Sequence, residues 1–436
     1  MMAPELAVDT RAASAPAWLD PVARRGLETW RLARMPNRKT ESWKYTSVRV
    51  LERADYAGVA ERAEDIDALA HVADIEGLEA HRLVFVNGRY EAALSAHALP
   101  DGVTLVPFSN ADSEQVSVIQ NHLGKIVDRD THVFVAQNES LLAEGAFLRV
   151  KAGVEVEKPI QVVWLSSGQE KGFTVAQRLL VVLEPRSRVT LLEHFASDRH
   201  DQHVFTNGVS EFDVGAGAHL RHYRLHLEQE QAVHIGGMHV DLASDAELDS
   251  FHLGLGGRLK RVDIVVNHRG ERAACRLNGV YLPRHDQHID YHTCIEHRVP
   301  SCTTDENFRG IIGDRARAVF NGRIHIHPDA RKTRAELSNK NLLTSDQAEV
   351  DTKPELEIYT DDVQCAHGAT VAQLEEQAVY YLRSRGVSLQ DTRTMLSFGF
   401  INELIDDIGD EPVAVFLREV LDDMFVSSDA MAGSRA

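Results

Sequence analysis

Most features that announce a function at sight are scarce in this chain. Aromatic residues make up 6% of its 436 positions, and there are 4 cysteines, Cys275, Cys294, Cys302 and Cys365, none in a CxxC pair. So few thiols over such a length do not make a disulfide framework, and a reducing, cytoplasmic setting is expected. No run approaches the roughly 20 uninterrupted apolar residues that a membrane-spanning helix needs. From Met1 to Asp20 no basic stretch leads into an apolar one, so no secretory signal is expected. Positive charge is short as well: 47 Lys and Arg face 66 Asp and Glu, a formal charge of -19. A surface this acidic repels phosphate backbones and anionic lipid, which argues against nucleic acid and membrane as partners.

The familiar catalytic signatures are missing too. There is no GxxxxGK[ST], no GxGxxG opening a helix and no GxSxG elbow. Without a phosphate-cradling loop, no ATPase activity of its own is expected. Asp361 and Asp362 are adjacent, and neighbours on an extended strand point to opposite faces, so they cannot converge on one bond.

What is present divides into three stretches. Residues 1–130 read as mostly helical: Asp20-Pro21 looks like an N-cap and first turn, Leu19, Val22, Leu27 and Trp30 share a face, and Pro36 ends the run. Asn87-Gly88 between apolar residues signals a hairpin. Residues 131–362 alternate short apolar runs with Gly, Asp, Asn and Pro. Val189, Ala218, Ala246 and Ala273 recur before strand-like runs at a spacing of about 27 to 29 residues, which suggests stacked coils. A β-sandwich with evenly spaced strands is the alternative. Residues 363–436 turn helical. Thr370 to Gln373 fits a capping box, Gly386 a stop, Ser388 a second start and Pro412 a third. Leu374, Ala378, Tyr381 and Leu382 make the first apolar stripe, and Gln373 and Gln377 face away from it as candidate partner contacts.

Histidine is abundant, 22 in all, and concentrated in His285–His297. As a strand, His288, Asp290, His292, Cys294 and Glu296 share one face and Ile289, Tyr291, Thr293 and Ile295 the other. Imidazole, carboxylate and thiolate together suit zinc or iron, but same-face neighbours on one strand lie ~6.5 Å apart, which strains ligation of a single ion. His325 and His327 form a similar pair. Cys365 and His367 share a face just before the expected Thr370 cap, where helix N–H groups favour a thiolate and Gly368 lets the chain turn.

Several segments, in order, carry a family resemblance. Lys39-Thr-Glu-Ser-Trp-Lys-Tyr-Thr46, Phe320-Asn-Gly-Arg-Ile-His-Ile-His-Pro-Asp-Ala-Arg-Lys-Thr333, Asn339-Lys-Asn-Leu-Leu343, Lys353 to Val363, Cys365-Ala-His-Gly-Ala-Thr370 and Tyr380-Tyr-Leu-Arg-Ser-Arg-Gly386 resemble the motifs of the SufB/SufD family of iron–sulfur cluster assembly scaffolds. Cys365-Ala-His-Gly stands where SufB members carry His-Glu-Ala-Thr, the SufB N-terminal cysteine cluster is absent, and Asn339-Lys-Asn341 offers no thiol before the Leu pair. The chain therefore falls outside the SufB branch.

The resemblance implies a right-handed parallel β-helix core flanked by helical N-terminal and C-terminal regions. It implies a non-catalytic scaffold that pairs with SufB through the β-helix and binds the SufC ATPase through its C-terminal helices. No cofactor is expected to be tightly held by the chain alone. A nascent iron–sulfur cluster is expected to be shared with SufB, and a flavin only at the level of the complex. Whether the isolated chain forms a homodimer without SufB is left open by the sequence. His367 becomes the candidate cluster ligand at the SufB interface, with Cys365 the weaker candidate, and the contacts of Gln373 and Gln377 are expected to be with SufC. The rival readings are a β-helix carbohydrate-active enzyme, which wants a secretion signal and an aromatic-lined groove, and a metalloenzyme built on the histidine-rich strand.

Overall fold

The computed structural model of the protein describes residues 15–432, except 54–55, 58–59, 97, 200–201 and 229. One local pattern repeats through its middle. Arg186, Gly217, Asp245, Arg272, Ser301 and Lys332 all have positive φ, between 57° and 64°. Each is followed by a small buried residue, Ser187, Ala218, Ala246, Ala273, Cys302 or Thr333. The backbone N–H of each left-handed residue donates to a carbonyl of the next coil, as from Gly217 to Ser244 at 2.9 Å and from Ser301 to Arg331 at 2.8 Å. The left-handed region is unfavourable for bulky β-branched side chains, and none of the described ones occupies it. The echo read from Ala218, Ala246 and Ala273 is this column. Its first member is Ser187 rather than Val189.

These turns wind the chain into a β-solenoid of two sheets. One runs in the order β4 (Val103–Pro107), β5 (Ala146–Val150), β7 (Gly172–Leu183), β9 (Val204–Val214), β11 (Val233–Leu242), β13 (Leu259–His268), β15 (His288–His297), β17 (Arg317–Ile326) and β19 (Glu349–Ile358), with β1 (Tyr56–Ala57) added beside β7. The other runs β3 (Arg89–Tyr90), β2 (His81–Val86), β6 (Ile160–Ser166), β8 (Arg188–Ser197), β10 (His219–His226), β12 (Glu247–Gly254), β14 (Ala274–Tyr281), β16 (Thr303–Ile312), β18 (Thr333–Leu343) and β20 (Val363–Gln373). Pairing is parallel except for β2–β3, joined by the expected Asn87-Gly88 turn, and β4–β5. The solenoid reading therefore holds and the sandwich does not.

Alternation sends every second side chain inward, and parallel register stacks like on like. Val240, Val266, Ile295, Ile324 and Leu356 form one such column, paired coil to coil. All but Leu356, which is partly buried, belong to the fully buried core between the sheets. A coil cannot bury that face alone, so each is stabilised by its neighbours.

Helices cover the outer faces. α1 (Asp20–Leu32), α2 (Arg49–Arg53), α3 (Ser113–His122) and α4 (Val133–Leu141) come from the N-terminal half, and α5 (Glu376–Ser384), α6 (Leu389–Asp406) and α7 (Glu411–Ala432) from the C-terminal end. Asp20 is the first helical residue of α1 rather than its cap, a role Leu19 takes. α1 lies on α4 so closely that a Cβ at Gly26 would come within 2.5 Å of Glu139 Cβ. Trp30, Trp43 and Phe134 pack with Phe205, Val233 and Ile235 on the first sheet, while Ile401, Leu404, Leu417 and Leu421 cover Tyr223, Leu225, Phe251 and Leu253 on the second. Ser388 caps α6 through the Asp391 N–H, as expected. No described helix is long and apolar enough to cross a membrane.

Two expected boundaries shift. The N-terminal region is not separate from the solenoid, since β2 and β4 already extend the two sheets, and α4 lies within the stretch expected to be all strand. At the other end the solenoid continues through Gln373. Thr370 pairs with Lys340 in the β18–β20 ladder instead of capping a helix, and the N-cap of α5 is Glu375 without a side-chain cap. The reason is the long edge of β18. Its backbone groups need a partner, and the Val363–Gln373 segment supplies a ladder along its whole length.

Candidate functional site

The last coil of the solenoid is open. β19 and β20 end the two sheets, and no described strand pairs with the outer edge of either. β20 is largely exposed, with Val371 at 47%, and Ile358 at 42% and Tyr359 at 60% stand beside it. A long edge with apolar side chains and a row of unpaired backbone groups is a template for another chain. β19 carries Pro354 and a charged face that includes Lys353, both edge-blunting features, whereas β20 carries neither Pro nor Lys.

Cys365 and His367 sit in this coil. They lie opposite Ala335 and Leu337, both buried, so they occupy inward-facing register positions. Cys365 is partly covered by the solenoid core, and burial pushes its thiol up from the ordinary value, against a hydrogen bond from Ala335. His367 is exposed, because no further coil covers it, and its side chain makes no hydrogen bond or ion pair among the described residues. The expected helix N-terminus beside them is absent: both lie mid-strand, and Gly368 continues the strand without turning. No helix N-terminus therefore favours a thiolate at Cys365.

The inward positions behind His367 run coil by coil through Leu337, Glu306, Leu277, Ser250 and His222. This column mixes leucine with buried polar residues. His222 and Arg224 both contact Glu193, at 3.1 and 2.5 Å, in full burial. Burial pushes Glu193 up, but Arg224 and His222 outweigh it and hold the carboxyl at about 2. Glu306 is also fully buried, with no charged partner, and burial pushes it up to about 8 against the Thr293 hydroxyl. Sequence reading missed this column. The signal was available in Thr304-Asp-Glu306-Asn-Phe308, where alternation puts Glu306 on the Phe308 face.

Gln373 ends β20 and Gln377 lies on α5, both exposed, so the pair does not share a helix. They border the place where α5 leaves the last coil. There Gln373, Leu374, Val379, Tyr380, Leu389 and Arg393 line a groove. α5 has no fully buried residue, and Tyr380 and Tyr381 are 77% and 56% exposed.

The histidine-rich strand, β15, alternates as read: Ile289, Tyr291 and Ile295 enter the core. On its outer face, Asp290 accepts from Arg261 at 2.8 Å and contacts His292 at 3.0 Å and the Thr46 hydroxyl. Arg261 stacks on Trp43 at 4.0 Å, and Lys353 reaches Glu41 at 3.1 Å. The Lys39–Thr46 motif is thus a clamp fastening the N-terminal segment across β13, β15 and β19. His288, Asp290 and His292 serve that clamp and do not converge on one ion. All four cysteines are free.

Comparison with known proteins places this architecture. Residues 165–400 match the family model described as SUF system FeS cluster assembly, SufBD core domain, and residues 9–162 match the SufBD protein N-terminal region. The chain is 34% identical over 395 residues to the iron–sulfur cluster assembly protein SufD of Escherichia coli (strain K12), covering 90% of this chain and 89% of that protein. It is 30% identical over 383 residues to an iron–sulfur cluster assembly SufBD family protein of Synechocystis, covering 86% and 84%. It is 22% identical over 331 residues to the iron–sulfur cluster assembly protein SufB of Bacillus subtilis, covering 75% and 71%.

Proposed function

Since the chain belongs to the SufBD family of SUF-system iron–sulfur cluster assembly proteins, we propose that it is a non-catalytic scaffold subunit that pairs with SufB through the open end of its solenoid. The observation that carries this reading is the last coil, where β19 and β20 offer two unpaired edges and exposed Ile358, Tyr359 and Val371. Sheet edges with unpaired backbone groups are normally paired or covered, so an uncovered pair of edges calls for a partner of like geometry.

At that junction His367 is the ligand the chain contributes to a nascent cluster, with the thiolates coming from SufB. Iron in such a cluster accepts imidazole in place of thiolate. Cys365 is the weaker candidate, because its partial burial favours the neutral thiol. The cluster is cargo, assembled and passed on. SufC binds the groove beside α5, where Tyr380 and Tyr381 stand exposed with Gln373 and Gln377 at its border. ATP hydrolysis then belongs to SufC, and a flavin, where one takes part, to the assembled complex. Anaerobic purification of the chain alone and with SufB and SufC tests the scaffold reading. Iron together with acid-labile sulfide in the complex and no sulfide in the lone chain support it, and a lone chain that builds clusters contradicts it.

A further inference from the structure

The outer face of the first sheet carries a second, separate constellation. Glu296 in β15 lies directly beside His325 in β17, in parallel register. Adjacent coils bring side chains within ~5 Å, closer than same-face neighbours on one strand. That removes the geometric objection to a site built from the histidine-rich strand alone. His327, just past the end of β17, completes the group. Glu296 Oε2 is 3.2 Å from His325 Nδ1 and 2.7 Å from His327 Nε2, and the two rings stack at 4.2 Å. The ligand atoms of the three residues all lie within 4.8 Å of one another.

We propose that Glu296, His325 and His327 bind one first-row divalent ion of the borderline class that includes Zn(II), Co(II) and Fe(II). Two imidazole nitrogens and one carboxylate oxygen are the donor set such ions select, and they leave coordination positions for water. Two guanidinium groups are close by. Arg323 lies 3.7 Å from Glu296, contacts His325 Nδ1 at 3.0 Å, and makes a two-pronged pair with Glu357 at 3.0 and 2.9 Å. Arg298 lies 3.9 Å away. Two carboxylates against two guanidinium groups leave little net negative charge. The ion is therefore held through imidazole nitrogen and not by charge, and Mg(II) and Ca(II), which want an oxygen cage, are excluded. Cys294 lies 3.6 Å from Glu296, and its thiol is not among the three convergent ligand atoms. The side chains of Glu296, His325 and His327 are 12%, 18% and 31% exposed, so an ion can enter from solvent.

The test uses the untagged full chain, stripped of metal and titrated with Co(II) at neutral pH. One Co(II) per chain with visible d–d bands at this site is expected, displaced by Zn(II) and unaffected by excess Mg(II). His325→Ala, His327→Ala and Glu296→Gln should each weaken binding by about 100-fold, at or beyond the loss seen for outer-shell changes, and abolish the bands. His71→Ala, on the exposed N-terminal surface, should bind as the parent does. Circular dichroism confirms that each variant is folded, and His327→Ala, outside the strand, is the least disturbing. Parent protein that takes up no stoichiometric Co(II), or variants that keep the parent affinity and spectrum, would overturn the proposal.

Discussion

His367 lies directly opposite Leu337 in the last ladder of the second sheet, and the two share an inward-facing register. Leu337 is 2% exposed and His367 is open to solvent, because one coil is stacked upon and the other is not. The same position in consecutive coils therefore has opposite roles. Leu337→Ala is expected to cost about 2–5 kcal/mol of stability, as for other buried leucines. His367→Ala should stay within about 0.5 kcal/mol of the parent. Denaturant melts of the isolated chain measure both, and a large loss in His367→Ala would mean that the imidazole is structural.

The open edge makes its own demand. Replacing Val371 and Tyr359, both exposed, with Lys places charge on a surface that has to become dry when a second solenoid stacks on it. The double variant should fold as the parent does and fail to retain SufB through size-exclusion chromatography. Unchanged retention would move the interface elsewhere.

A truncation after Gly368, the obvious way to remove the proposed SufC surface, is not clean in this fold. It cuts β20 in half, and loss of α6 and α7 uncovers Tyr223, Leu225, Phe251 and Leu253. Point changes are better. Tyr380→Ala with Gln377→Ala removes only exposed groups on α5, and is expected to weaken SufC binding by at least about 10-fold, the size of a modest hot spot. Calorimetric titration of SufC into the chain reads it, and an unaltered Kd would remove α5 from the contact.

Glu306 gives the fold a pH dependence of definite sign. Its carboxyl is buried with no charged partner, only the Thr293 hydroxyl acting against the effect of burial, and titrates at about 8, above the ordinary value of 4.5. The neutral form is the one the fold accepts. Its contribution is fully present below the unfolded-state value and is lost as pH rises from about 4.5 through about 8. Glu306→Gln keeps the shape and removes the charge. It should be ~2–4 kcal/mol more stable than the parent at pH 9 and nearly equal to it at pH 5. Equal stability at both pH values would show that the carboxylate has found a partner.

How far the sequence carried this account depends on which signals are local. The coil turns were legible at Ala218, Ala246 and Ala273, because a left-handed residue followed by a small one recurs at nearly constant spacing. The alternation of β15 was legible for the same kind of reason, as was the Ser388 cap. Thr370-Val-Ala-Gln373 misled because a capping box is a local pattern, whereas the demand of the β18 edge for a partner is not. Glu306 and Glu193 were missed because a polar residue on a strand reads as solvent-facing until the coil is closed around it. The pairing of Glu296 with His325, 29 positions apart, depends on parallel register, which no local window reports.

The central claim is that His367 supplies the chain's ligand to a cluster built where its solenoid meets SufB. It is tested most directly by iron and sulfide content of the anaerobically purified SufB–SufC complex of this chain carrying His367→Ala. Subunit stoichiometry is measured on the same sample, with Cys365→Ser alongside. The account requires a fully assembled complex with cluster content abolished or strongly reduced by His367→Ala and reduced less by Cys365→Ser. Parent-level iron and sulfide in a fully assembled His367→Ala complex would contradict it.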